Sequence, residues 1–296
     1  MTAHLLDDSF DVARLQRDLA AVERRAWVPQ PGIHHAGEWT GLSLVSAGGR
    51  EDTAAPFGLS REEFKPTPLL EVTPYLREVL DGLPCPKLTV RLLRLPPGGR
   101  IIEHADLDVS VRSGGMRLHL PIVTHADVDF RLGGVRQRWE PGQLWYGDFS
   151  LPHSVENRSP ITRVHLVIDV ACTEALLTRF PDDLVARWRA DGIALVAAPA
   201  VGAGPGQLKR YACRFVVPPG VLGDDAIPGA VTLEGETLVA TLDGMPPFAL
   251  EPLADGGLAI TGLPPGFRLN CDFDGEDMVA ATLMMGSDAV PVELRR

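Results

Sequence analysis

Between Lys87 and Val170 the chain alternates short β-rich runs with proline- and glycine-built turns. That rhythm constrains the fold more than any other feature of its 296 residues. The runs are Leu88–Leu95, Arg117–Val123, Val128–Leu132, Gln143–Tyr146 and Thr162–Val170. Pro96-Pro97-Gly98-Gly99, Ser113-Gly114-Gly115, Gly133-Gly134 and Pro141-Gly142 cut them apart. Many short strands at such spacing predict a sandwich, jelly roll or barrel. Ahead of them, Val12, Leu15, Leu19 and Val22 recur at helical spacing and predict a helix over 11–23. An irregular stretch with Trp27 and Trp39 follows, holding a short strand over 42–45. A second helix is expected over 74–83, before the breaker Pro84-Cys85-Pro86.

After the strands, residues 171–189 read as one helix packed beside them, and Ala197 to Gly206 reads as a low-complexity linker. Turn signals then recur at Glu234-Gly235, Asp243-Gly244, Asp255-Gly256 and Asp274-Gly275, which predicts a small antiparallel meander or barrel. The expected division is therefore 1–190 as a mainly β domain with N-terminal helices, 191–206 as linker and 207–296 as a small β-rich C-terminal domain. Exposed strand edges in that last part would leave homodimerisation open.

Composition narrows the function. A hydrophobic fraction of 45% and a charged fraction of 23% are those of a globular chain. With 28 Lys+Arg against 39 Asp+Glu, the net charge of −11 argues against nucleic acid or an anionic membrane surface as partner. It leaves room for a local basic pocket. Met1 to Phe10 carries Asp7 and Asp8 and does not read as a secretory signal, and the longest apolar stretch is broken by Pro199 and Gly202. Cys85, Cys172, Cys213 and Cys271 form no Cys-x-x-Cys pair, so they read as reduced structural thiols in a cytoplasmic protein.

The chemistry concentrates between His104 and Arg163. His104 and Asp106 stand two apart, so on a strand both leave the same face and can converge on one ion. His153, after the Pro-Gly turn and the strand it opens, would return across the barrel as a third ligand. Two histidines and a carboxylate form the facial triad of non-haem Fe(II) oxygenases. Ten residues on, Arg163 alternates with His165 and Val167 on one face of its strand, while Arg117 and His119 share a face of theirs. If both faces line a barrel, its interior is cationic and suited to a dicarboxylate, with Arg163 in bidentate pairing.

Taken together, His104-x-Asp106, Arg117-Leu-His119-Leu-Pro-Ile-Val, Glu140-Pro-Gly, Trp145-Tyr-Gly-Asp-Phe-Ser-Leu-Pro-His153 and Arg163-Val-His-Leu-Val-Ile-Asp169 resemble the aspartyl/asparaginyl β-hydroxylase family. That family contains Fe(II)/2-oxoglutarate-dependent dioxygenases built on a double-stranded β-helix, related to bacterial cis-proline hydroxylases. The resemblance covers about residues 8 to 180. It implies a jelly-roll, cupin-like core with flanking helices. It makes His104, Asp106 and His153 the catalytic iron ligands, with Arg163 pairing the C5 carboxylate of 2-oxoglutarate. Arg117 and His119 match a second pair contacting that cosubstrate. The implied cofactors are Fe(II), 2-oxoglutarate and O2, and the implied reaction hydroxylates an unactivated C–H while 2-oxoglutarate becomes succinate and CO2. Retention of Asp106 favours a small amino-acid substrate, with a peptidyl or carrier-bound aspartyl/asparaginyl-type residue the alternative.

Bland readings stand beside these. Arg91 and Arg94 are candidates for a substrate carboxylate or plain exposed charges. Asp108 shares the face of Asp106 as an alternative ligand or a solvated acid. His34-His35 reads as a loop at the pocket mouth, and Trp139 and Trp145 as packing. Two further functions stand as alternatives: a non-redox metal-dependent isomerase or lyase of cupin type, which would need the His and carboxylate ligands but not Arg163, and a non-catalytic module on an oxygenase barrel that binds a partner through the C-terminal meander.

Overall fold

The computed structural model describes residues 2–31, 35–36, 38–56, 58–106, 109–197, 205–286 and 288–295. His34, Asp108 and the middle of the expected linker lie outside the described residues. The chain divides into two units. One comprises 1–57, 64–111 and 115–190, and the other 58–63, 112–114 and 191–296.

The first unit is a jelly roll, the double-stranded β-helix that the motifs imply. Its main strands are β1 (Ala3–Ser9), β2 (Thr40–Ala47), β3 (Lys87–Leu95), β4 (Arg100–His104), β5 (Gly115–Val123), β6 (Val128–Leu132), β7 (Gln143–Gly147), β8 (His153–Asn157) and β9 (Arg163–Ala171). An eight-stranded sheet runs β1-β7-β5-β9-β3-β2, completed by the short strands Val28–Pro29 and Phe64–Pro66 on β2. A five-stranded sheet places β6, β8 and β4 between Val135–Gln137 and His35–Ala36. Leu95, Ile101, Phe130, Leu132, Phe149 and Val155 form a buried cluster between the two sheets.

The expected helix opens at α1 (Val12–Val22), where the Asp11 carboxylate accepts from the Arg14 N–H at 3.1 Å. Asp18, buried on its inner face, accepts from the N–H groups of Tyr75 and Leu76 at 2.7 and 2.8 Å. It thereby caps α2 (Pro74–Asp81), whose own Thr73 makes no side-chain cap. The single helix expected over 171–189 is instead two. Ala171 ends β9, the Thr173 hydroxyl accepts from Leu176 N–H to start α3 (Glu174–Leu177), and Pro181 separates that turn from α4 (Asp182–Asp191). Proline cannot donate to a preceding turn and disfavours helical geometry at the residue before it.

The second unit closes into a barrel of β10 (Cys213–Val217), β11 (Ile227–Glu234), β12 (Thr237–Leu242), β13 (Phe248–Pro252), β14 (Leu258–Ile260), β15 (Phe267–Asp274), β16 (Asp277–Met285) and β17 (Asp288–Arg295). Gly235 and Gly275 stand at φ 64° and 62° in two-residue hairpin loops, a conformation that favours glycine. Because β10 pairs β17, the open edges expected of a meander are absent, and the edge argument for homodimerisation goes with them. Residues 58–63 group with this barrel, since Ser60 N–H donates to Thr261 O and Ser60 O accepts from Ala249 N–H. The four cysteines are free, and among the described residues no helix is long and apolar enough to cross a membrane.

Candidate metal centre and anion cavity

Antiparallel pairing of β4 with β8 sets His104 directly opposite His153, their ring centroids 4.3 Å apart. Asp106, just past the end of β4, turns back so that its Oδ1 is 3.5 Å from His104 Nε2. One ligand atom from each of the three lies within 4.8 Å of the others. Both rings are oriented from behind. His104 Nδ1 is 2.7 Å from the Ile102 carbonyl oxygen, and His153 Nδ1 is 3.1 Å from that of Leu151. A carbonyl oxygen only accepts, so each Nδ1 carries the proton and each Nε2 keeps its lone pair for an ion.

Protonation states suit a divalent cation. Burial works to raise the Asp106 carboxyl, but Arg117 and His104 outweigh it and hold the group well below the usual carboxylate range. Burial pushes His153 down to about 4, so its ring is neutral at physiological pH. A hydrogen bond that the His104 ring donates to the Asp106 carboxylate raises His104, an effect an ion at the site would replace. Two neutral imidazoles and one carboxylate, with no thiolate, fit Fe(II) and leave further coordination positions for other ligands.

Behind Asp106 stands a buried ion network that the alternation of three neighbouring strands assembles. Arg117 on β5 donates to Asp106 and, through Nε at 2.6 Å, to Asp169 directly across on β9. Arg91 on β3 reaches the same Asp169 at 2.9 Å, and Thr89 donates to it at 2.8 Å. Arg91 also holds Gln30 Oε1 and the Ala54 carbonyl.

These groups surround a cavity of about 350 Å³ between the two sheets, lined by Arg91, Arg117, His119 and Arg163 from the large sheet and by His104 and His153 from the small one. Arg163 is 3% exposed, and no carboxylate pairs with it among the described residues. Its guanidinium meets His165 Nδ1 at 2.9 Å and Phe130. Burial lowers it to about 9, so it is still charged near neutrality. Three guanidiniums thus face two carboxylates, and the uncompensated cation is Arg163. His119, stacked on Phe149 at 4.7 Å, is kept neutral by burial and by Arg163.

Six of the eight predicted positions are therefore brought around one cavity with Arg91 as a seventh. Arg94 is not among them. It stands three residues from Arg91, so alternation turns it to the outer face of β3, where it donates to Thr40 and covers Trp27. His35 pairs with Ile101 in a short strand at the sheet edge. Asp169 was missed as a site residue, although it shares the alternating face of Arg163, His165 and Val167. Gln30, buried beside Arg91, has no signal in the sequence at all.

The family model for aspartyl/asparaginyl β-hydroxylases matches residues 10–172. An L-proline cis-4-hydroxylase of Rhizobium meliloti (strain 1021) is 28% identical over 183 residues, covering 58% of this chain. The chain spans 62% of that relative's length. Among solved structures, a 2OG-Fe(II) oxygenase family oxidoreductase from Burkholderia pseudomallei matches at 14% identity and TM-score 0.41, over 57% of this chain and 85% of its own. A prolyl hydroxylase from Trichoplax adhaerens, in complex with a hypoxia inducible factor peptide fragment, matches at 12% identity and TM-score 0.40, over 61% and 88%.

Proposed function

Because this chain belongs to the aspartyl/asparaginyl β-hydroxylase family, we propose that it is an Fe(II)- and 2-oxoglutarate-dependent dioxygenase that hydroxylates an unactivated C–H of an amino acid or an aspartyl/asparaginyl-type residue. The observation that carries this reading is an uncompensated buried cation, Arg163, lining the same cavity as the convergent His104, Asp106 and His153. Burying a charge without a partner is costly, and the cost is offset when an anionic ligand occupies the site.

His104, Asp106 and His153 would hold the iron, and Arg117 orients Asp106 by engaging Oδ2, which leaves Oδ1 beside His104 Nε2. Arg163 binds the far carboxylate of the cosubstrate, while Arg117 and His119 border its metal-side end. Bound Fe(II) supplies the oxidising chemistry, in which O2 converts C–H to C–OH as 2-oxoglutarate loses CO2 and becomes succinate. Phe130, Phe149 and Val155 exclude water from the cavity, which strengthens the ionic contacts inside it. Arg91, steadied by Asp169 and Gln30, is the group on this wall for a substrate carboxylate. The R. meliloti relative's name supports a small amino acid as the first substrate class to screen.

The test is succinate formation from 2-oxoglutarate by protein loaded anaerobically with Fe(II) and then exposed to O2. Turnover in the wild type that disappears in His153→Ala is the expected result. Wild-type protein that binds neither iron nor 2-oxoglutarate would overturn the reading.

A further inference from the structure

The cavity at the metal site ends against Arg163 and Phe130, and the jelly-roll interior opens again on their other side. This second chamber, of about 330 Å³, shares those two residues with the first. It adds His165 and Trp139, neither of which lines the metal-side cavity. Its rim is exposed, with Arg138 and Glu140 upon it. The proposed reaction uses nothing in this chamber except Arg163 and one face of Phe130.

Three buried nitrogens here have no hydrogen-bond partner among the described residues: Arg163 Nε, His165 Nε2 and Trp139 Nε1. Their residues are 3%, 2% and 4% exposed. All three are donors. A guanidinium can only donate, so the 2.9 Å contact from Arg163 makes His165 Nδ1 the acceptor, and the neutral ring carries its proton on Nε2. Indole nitrogen donates only. A cluster of buried N–H groups with no acceptor, one of them cationic, calls for a ligand with oxygen acceptors and negative charge. The remaining wall is apolar, formed by Val128, Phe130 and Pro141. An inorganic oxyanion would satisfy the donors but leave that wall uncovered.

We propose that this chamber is a second ligand site, distinct from the metal-side cavity, which takes a monocarboxylate with a short apolar tail. Its carboxylate accepts from Arg163, His165 and Trp139, and its tail lies along Val128 and Phe130. Arg163 then serves an anion on each side. One cation shared by two anions weakens each by a finite amount, so a ligand here and 2-oxoglutarate bind together with reciprocal, saturable antagonism. The site rests on the donor cluster and stands whether or not the oxygenase reading does.

Butyrate is the probe, with butyramide as its uncharged isostere, titrated calorimetrically into Fe(II)-loaded protein under argon. Butyrate should bind at least tenfold more tightly than butyramide, and Trp139→Phe, which deletes one N–H and keeps the ring, should weaken it by about tenfold. Saturating 2-oxoglutarate should raise the butyrate Kd several-fold to a plateau. Equal binding of butyrate and butyramide would overturn the proposal, since it needs no carboxylate. Insensitivity to Trp139→Phe would do the same. So would a butyrate Kd that climbs linearly with 2-oxoglutarate, because butyrate would then occupy the metal-side cavity. Protein that fails to bind 2-oxoglutarate overturns the oxygenase reading, while the butyramide and Trp139→Phe comparisons still decide the second site.

Discussion

Arg163 carries opposite consequences for stability and for binding. A buried guanidinium without a carboxylate destabilises the ligand-free fold, so Arg163→Met, of similar length and apolar, should stabilise that state by about 1–3 kcal/mol. The same change should weaken 2-oxoglutarate by about 2–3 kcal/mol, roughly 30- to 150-fold. Thermal unfolding and direct binding of 2-oxoglutarate check the two halves, and a less stable variant would mean that Arg163 is compensated within the protein. Asp169 behaves in the contrary way. Asp169→Asn leaves Arg91 and Arg117 facing each other without their shared carboxylate, and a loss of about 3–5 kcal/mol is expected in denaturant unfolding. The convergence of the candidate site was legible at this scale wherever a residue type has few other uses at its spacing, as for His104, Asp106, His153 and Arg163. Arg94 shows the limit. Its charge suggested a ligand contact, and only the parity of its position on β3 relative to Arg91 turns it to the outside.

Strands β5, β8 and β9 each bring a neutral histidine into the jelly roll, and this gives the element its pH dependence. Burial holds His153 at about 4 and keeps His119 and His165 well below their ordinary value. Unfolded histidine titrates near ~6.5. Between those limits the unfolded chain takes up protons that the native strands refuse, so stability is full above about pH 6.5 and falls as pH drops toward about 4. His104, raised by Asp106, acts with the opposite sign but is one group against three. The melting temperature of metal-free protein should therefore be lower at pH 5 than at pH 7.5, and His165→Asn should flatten the dependence. A flat wild-type profile would contradict the assignment. Element by element, the chain announced its hairpins and the inner strands of the large sheet through apolar alternation and glycine turns, but not β4 and β8 of the small sheet, which lie outside the expected runs. It concealed β1, where Asp7 and Asp8 mask a strand paired to β7. Helical periodicity also ran straight through Pro181, because apolar spacing on either side of a break can stay in phase.

The whole chain holds two cores whose independence of signal makes the metal site testable by folding. All five tryptophans, at 27, 39, 139, 145 and 188, belong to the jelly-roll unit, and the barrel unit has none. Intrinsic tryptophan fluorescence therefore reports unfolding of the unit that carries His104, Asp106 and His153. A ligand that binds only the native state stabilises it by mass action, by about 2.7 kcal/mol at a free concentration a hundredfold above its Kd. Closure of β10 on β17 could not be read from turn signals, since a meander and a barrel share the same hairpins and differ only in one long-range pairing. The ligand triad is likewise a long-range product, because β4 and β8 meet only when the sheets are complete. Metal binding by this triad would thus be coupled to the fold of the unit and not to a local peptide motif. Fe(II) added under argon should raise the denaturant midpoint of the fluorescence transition, and a chelator should reverse the shift. His153→Ala should lose it while keeping a cooperative transition. A shift of equal size in that variant would mean that the ion stabilises the protein from some other place.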